Sequence, residues 1–294
     1  MDAFLQATVY GLLQGGLLAL VAVGFSLVWG IMNIVNLTHG AFVILGAYIA
    51  WEMKSWLGLD PFIAMFVSAV LLFIIGYVLQ RFLINLVVNG PVFITLLLTF
   101  GINMMVVQGM NLAFSADYRS IQTSYVSNAL TVGAVRIPVV RLLAFVLAIV
   151  ITFILVAFVT KTRTGTSIMA TGMDRGAARL MGIRARHVYA LTFGIAAGLA
   201  GMAGTMIGTI GTFDPSAAGR LTLMAFVVAV LGGLGNMYGA LVGGLLIGLV
   251  EAWGGQYLPG TWVNAIAFLV LIIVLIVRPN GLVGRAFYSG RVEV

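Results

Sequence analysis

KTRTGTSIMATGMDRGAARLMGIRARH, residues 161–187, separates two long apolar runs and carries six of the chain's fifteen Lys and Arg residues: Lys161, Arg163, Arg175, Arg179, Arg184 and Arg186. Lys and Arg beside membrane spans are retained on the cytoplasmic side, so this basic island assigns that side of the chain. The runs on either side, Leu142 to Val159 and Val188 to Ile210, approach or exceed the roughly 20 apolar residues that cross a hydrocarbon core. Within the island, DRGAARLMGI (Asp174 to Ile183) is compatible with a short helix set between glycines. Its exposure to the cytoplasm makes it a docking element.

Composition points the same way. Hydrophobic residues make up 62% of the 294, charged residues only 8%, and the mean hydropathy is +1.16. A soluble domain carries about a quarter charged residues, so the chain reads as an all-α polytopic membrane protein. Its 37 glycines against 6 prolines suit helices packed backbone to backbone in lipid. The net charge of +7 lies at the ends of apolar spans without interleaved aromatics, which argues against nucleic acid as a partner. The chain lacks cysteine, which rules out disulfides and thiolate metal sites. No Lys or Arg precedes Lys54, so the first apolar run reads as a retained span, not a secretory signal, with the N-terminus on the outer face.

Further clear spans are Phe62 to Leu79, Val92 to Phe114 and Trp262 to Val277, none of which contains Lys, Arg, Asp or Glu. Ala7 to Trp51 holds two spans joined by a turn near Asn33 to Gly40, the second one short. Leu221 to Val250 is interrupted by GGLGNMYG (Gly232 to Gly239) into pieces that read as too short to cross individually, which favours a broken or re-entrant helix. Charge supports that reading. With the 161–187 loop, Arg81, Arg278, Arg285 and Arg291 inside, ten basic residues lie inside and five, Arg220 among them, outside; one continuous span would leave seven inside and eight outside. About eight membrane segments result, in one transmembrane domain over 1–294 with the cytoplasmic loop at 161–187. Asp2, Glu52, Asp60, Asp117, Asp214 and Glu251 then fall at or near the outer face. Ser115 to Arg141 reads as a small folded outer loop or an ordinary solvated connection. NLTHGAFV (Asn36 to Val43) and NMYGALV (Asn236 to Val242) share Asn, Gly-Ala and Val, a possible internal repeat of the kind that builds a transport site.

The chemistry carried by these segments is sparse. Neither Lys54 nor Lys161 follows a glycine, so there is no phosphate-binding G-x-x-x-x-G-K-[ST] loop. The two histidines, His39 and His187, belong to no H-E-x-x-H motif, and no G-x-S-x-G elbow occurs, so the chain does not read as an enzyme. An ion-coupled carrier needs intramembrane ionisable groups. The candidates, His39 and Glu251, sit at segment ends and read as a helix-turn residue and an interfacial carboxylate. Neutral polar residues do enter the apolar segments, and interhelical hydrogen bonding is their default role. A translocation path is assigned to Asn36, Thr38, His39, Gly40, Asn103 and Asn236.

The DRGAARLMGI segment resembles the cytoplasmic coupling motif of ABC importer permeases, E-A-A-x-x-x-G, matched at Ala177, Ala178 and Gly182 with Ile183 following. Gly176 stands where that motif usually has Glu, which removes a first-turn carboxylate and leaves Asp174 to open the helix. NLTHGAFVILGAY (Asn36 to Tyr48), AVLGGLGNMYGALVGG (Ala229 to Gly244) and RPNGLVG (Arg278 to Gly284) are similar to successive signatures of the branched-chain amino-acid permeases of that class. The resemblance implies an inner-membrane permease subunit working by alternating access. Its implied partners are a second homologous permease, two cytoplasmic ATPase subunits and an external solute-binding protein. ATP would be used by the partners and no cofactor bound by this chain, which otherwise contacts membrane lipid. It further implies that Asp174, Arg175, Ala177, Ala178, Arg179, Leu180, Met181, Gly182 and Ile183 seat on the ATPase, with the arginines pairing acidic groups and Leu180 and Met181 in apolar contact. Aliphatic amino acids are the substrates it favours; urea or short amides are an alternative, as is an ion-coupled carrier or channel acting alone.

Overall fold

The computed structural model describes residues 2–88, 90–123, 128–133, 135–259 and 261–284. Arg285 and Arg291, counted above on the cytoplasmic side, lie outside these residues. In chain order the elements are α1 (Asp2–Met32), α2 (His39–Leu57), α3 (Pro61–Leu79), a π-turn (Gln80–Ile84), the single turn α4 (Asn85–Val87) and α5 (Val92–Phe114). A hairpin of β1 (Ala129–Val132) and β2 (Val135–Pro138) follows, then α6 (Val139–Lys161), α7 (Arg163–Met173) and α8 (Arg175–Leu180). The chain continues with α9 (Ala185–Ile210), α10 (Ala217–Gly232), α11 (Met237–Tyr257) and α12 (Thr261–Val277). Among the described residues six helical stretches are long and apolar enough to cross a membrane, namely α1, α3 through α4, α5, α6, α9 and α11; α10 and Ala265–Val277 of α12 are shorter apolar helices. The chain is therefore an all-α polytopic membrane protein of about eight segments.

Local chemistry places most boundaries. α2 stops at Gly58, which takes the left-handed conformation (φ 65°), and α3 starts at Pro61 behind Asp60, whose Oδ1 accepts the Phe62 N–H at 2.9 Å. α5 and α6 begin directly after Pro91 and Pro138. The hairpin pairs Ala129 with Pro138 through Val132 with Val135, and Gln6 of α1 joins its edge through two 2.8 Å bonds to the Arg136 backbone. The N-terminal end of α1 thus lies at the hairpin end of the bundle. The start of α9 lies at the opposite, basic end: Asn85 Nδ2 donates to the Arg186 carbonyl at 3.1 Å, and Tyr77 Oη lies 2.9 Å from His187 Nδ1.

α1 and α9 form the buried centre. α1 packs along α11, where Gly11 and Gly15 face Gly244 and Gly248 so closely that a Cβ on any of them would meet the opposite backbone. α3 packs along α9 through Gly76, Gly194 and Gly198. These two are the most extensive helix pairs, and the remaining contacts follow the same pairing: α2 on α9 corresponds to α10 on α1, α2 on α3 to α10 on α11, and α2 on α5 to α10 on α12. The internal repeat therefore relates α1, α2, α3 and α5 to α9, α10, α11 and α12. This corrects the expected pairing of Asn36 to Val43 with Asn236 to Val242. The first opens α2, whereas the second opens α11, the counterpart of α3. What the two stretches share is an Asn side chain that accepts a backbone N–H at a helix start: Asn36 Oδ1 takes the Thr38 N–H at 3.1 Å in a turn ahead of α2, and Asn236 Oδ1 caps α11 by taking the Gly239 N–H at 3.0 Å.

The Leu221 to Val250 region also needs correction. It contains neither one span nor two pieces too short to cross, because α11 continues through Glu251 to Tyr257 and is 21 residues long. α10 has 16 residues and reaches the basic end, where Leu282 N–H donates to the Leu231 carbonyl at 2.8 Å. The bundle direction after α11 is the one a re-entrant hairpin would have produced.

Candidate functional site

Two features stand out, one in the middle of the bundle and one at its basic end. In the middle, both α2 and α10 start inside the bundle. After α1 ends at Met32, residues 33–38 turn back along it, and Asn33 adopts a left-handed conformation (φ 53°) at the turn. His39 Nε2–H then donates to the Val21 carbonyl at 2.8 Å, about 16 Å of helix back from Met32. From the other side, Phe213 pairs with Arg119 at the hairpin end, and the chain re-enters to begin α10 at Ala217. The two starts meet. Thr222 Oγ1 accepts the Gly40 N–H at 2.8 Å and lies 3.3 Å from the Leu37 carbonyl. Gly40 is obligatory here, because a Cβ would overlap the Ala218 carbonyl and Thr222.

Of the residues assigned to a translocation path, Asn36, Thr38, His39 and Gly40 are brought together at this junction and are all buried. Thr38 Oγ1 donates to the Thr99 carbonyl of α5 at 2.8 Å. Asn103 lies one turn further along α5, and its buried Oδ1 has no hydrogen-bond partner among the described residues; the same holds for His39 Nδ1. Asn236 lies apart from these, in the turn between α10 and α11, where the adjacent Gly235 N–H donates to Ser26 Oγ at 3.1 Å. Thr99 and Thr222 complete the junction. Thr99 is a polar residue within the apolar run Val92 to Phe114, whereas Thr222 is joined to Gly40 across 182 residues and carries no local signal.

At the basic end, Asp174 opens α8 by accepting the Gly176 and Ala177 N–H groups at 2.7 and 3.0 Å. Gly176 therefore costs the helix little, because the cap comes from two residues earlier. Ala178 is buried, and the Arg175 guanidinium lies over the Tyr189 ring at 5.3 Å, anchoring one side of α8 on α9. The other side projects: Leu180 is 90% and Met181 82% exposed. Asp174→Ala is expected to weaken α8 by about 1 kcal/mol. Faster protease cleavage within 174–183, with the thermal midpoint of the bundle unchanged and Asp174→Asn behaving as wild type, is the expected reading. Equal cleavage of both variants and wild type would contradict it.

A polar pocket of about 500 Å³ opens near the hairpin end between α1, α6 and α11, lined by Gln6, Tyr10, Gln14, Arg141, Glu251 and Gln256 among others. Glu251, expected at the interface, lines this pocket within the length of α11.

Comparison with known proteins places this arrangement. No solved structure matches the chain significantly. The high-affinity branched-chain amino acid transport system permease protein BraD of Pseudomonas aeruginosa is 32% identical, over 96% of each chain. LivH of Escherichia coli K12, the permease protein of the same kind of system, is 29% identical over 96% of each chain. The D-allose transport system permease protein AlsC of Escherichia coli is 27% identical over 74% of this chain and 66% of its own. Residues 7–275, α1 through most of α12, match the branched-chain amino acid transport system permease component family, and the chain belongs to that family of transport permeases.

Proposed function

We propose that the chain is the permease subunit of an ATP-driven importer for branched-chain amino acids in a bacterial cytoplasmic membrane. A second homologous permease, two ATPase subunits and an external solute-binding protein complete the assembly. The basic end faces the cytoplasm and the hairpin end, with the N-terminus, faces out. The observation that carries the reading is the projecting tip of α8: two exposed apolar side chains, Leu180 and Met181, on a helix held rigidly at both ends. A lone carrier has no use for an apolar knob in the cytoplasm. A partner with a matching groove does, and its movement would be passed through Arg175 and Ala178 into α9. The nine residues Asp174, Arg175, Ala177, Ala178, Arg179, Leu180, Met181, Gly182 and Ile183 form that contact. The junction of α2 and α10 is the part of the path that the movement reorients.

Branched-chain amino acids are favoured over sugars because the relatives named for them match almost the whole chain, whereas the D-allose permease matches three quarters of it. The test is uptake of radiolabelled leucine, isoleucine and valine into proteoliposomes. Uptake is expected only when the chain is reconstituted with its co-purifying ATPase and ATP is present. Uptake by the isolated chain under an ion gradient alone would overturn the proposal.

A further inference from the structure

Arg220 has the position of an interfacial residue in the sequence, flanking an apolar run, but not in the fold. It lies in the first turn of α10, two residues before the Thr222 that bonds to Gly40, and about 18 Å of helix separates it from Gly232 at the basic end. The neighbouring His39 contact to Val21 puts the same level well inside α1. This is mid-height in a hydrocarbon layer about 30 Å thick. The sequence expectation that Arg220 belongs to the outer charges is therefore corrected. Its side chain is exposed on the surface of the chain, beside exposed Gly219 and Leu223, and among the described residues it makes no hydrogen bond or ion pair.

A guanidinium cannot lose its proton, so at that depth it cannot face lipid and must face water or a partner. An unpaired cation at mid-depth, exposed on the bundle surface, matches the carboxylate of an amino acid passing through the membrane. We infer that Arg220 receives the α-carboxylate of the passing amino acid, so that the surface of α10 at Arg220 lines the translocation path opposite the second permease. This inference rests on the amino-acid importer reading above. A carboxylate from the second permease has the same chemistry as a substrate carboxylate, and the experiment separates the two.

The assembled importer, co-purified with its partner subunits, is reconstituted for ATP-driven uptake of radiolabelled leucine. Arg220→Ala is expected to lower uptake by about tenfold, the loss of a charge-assisted contact, and Arg220→Lys to restore it to within about threefold of wild type. Both variants are expected to retain the second permease on purification. Because the chain has no cysteine, Arg220→Cys introduces the chain's single thiol, and the membrane-impermeant anion methanethiosulfonate ethylsulfonate is expected to label it in the membrane. Wild-type uptake by Arg220→Ala overturns the inference while leaving the importer reading intact. Loss of the second permease from the Arg220→Ala complex overturns it in favour of a subunit contact, and failure of the thiol to react overturns the path. Absence of ATP-driven uptake by the wild-type complex overturns the importer reading and this one with it.

Discussion

Arg179→Glu combined with Gly182→Val is expected to lower ATP-driven uptake by about tenfold or more while the chain remains folded and in the membrane. The two changes act on the same short helix in different ways. Gly182 ends α8: its N–H donates to the Arg179 carbonyl at 3.0 Å and the Ile183 N–H to the Ala178 carbonyl at 3.0 Å, the bond pattern of a Schellman cap. That cap requires a left-handed residue, and Gly182 supplies it with φ 82°. A β-branched residue there costs about 1–2 kcal/mol, which is enough to turn the chain differently into α9. No atom lies near the missing Cβ, so the cost is conformational and confined to the cap. Arg179 is exposed beside the apolar tip, and reversing its charge places a carboxylate against the acidic groups proposed on the ATPase. The checks are uptake, co-purification of the ATPase and the thermal midpoint of the purified chain. Normal uptake by the double variant would remove the coupling role from α8.

The parts of this fold that were legible in the sequence are those set by local chemistry. Val92–Phe114 is bounded by Pro91 and by Ser115, whose backbone turns to a positive φ of 65°, and hydropathy finds both ends. α6 extends beyond Leu142 to Val159, because Arg141 and Lys161 are long enough to sit in the end turns and reach water, so the charge-free window underestimates the helix. The break at Asn33 to Gly40 announced itself by polar residues in an apolar stretch. Depth did not. An arginine at the edge of an apolar run looks the same whether the run starts at the membrane surface or halfway through it. For Arg220 the difference is made by the bond between Gly40 and Thr222, which no window of sequence contains. The repeat was misregistered for a related reason. Asn36 and Asn236 look alike because each bonds a backbone N–H where a helix starts, whereas the true correspondence is carried by which helices pack together.

Gly204→Val is expected to be the most damaging single substitution for folding, at about 3 kcal/mol or more, because overpacking here meets backbone and not a side chain that could swing away. A Cβ on Gly204 would overlap the Val43 carbonyl and crowd the Ala47 nitrogen, so α2 and α9 would have to separate along their length. That contact also holds Gly46 against Gly201, and the Thr205 and Ser68 hydroxyls both reach the Gly46 carbonyl, at 3.4 and 3.1 Å. Displacing α2 by the width of a methyl group would therefore strand buried polar groups as well as open a gap. The control is Gly101→Val on α5, where no atom lies within 4 Å of the missing Cβ. There the change is expected to stay within about 1 kcal/mol, since valine is at least as good a helix former as glycine. Thermal midpoint and monodispersity in detergent read both variants, and equal behaviour would contradict the packing at Gly204. The same measurement bears on transport. α2 starts at mid-height only because α9 holds it there, so a partly folded Gly204→Ala should lose the alignment of Gly40 with Thr222, and with it uptake, before it loses its helices.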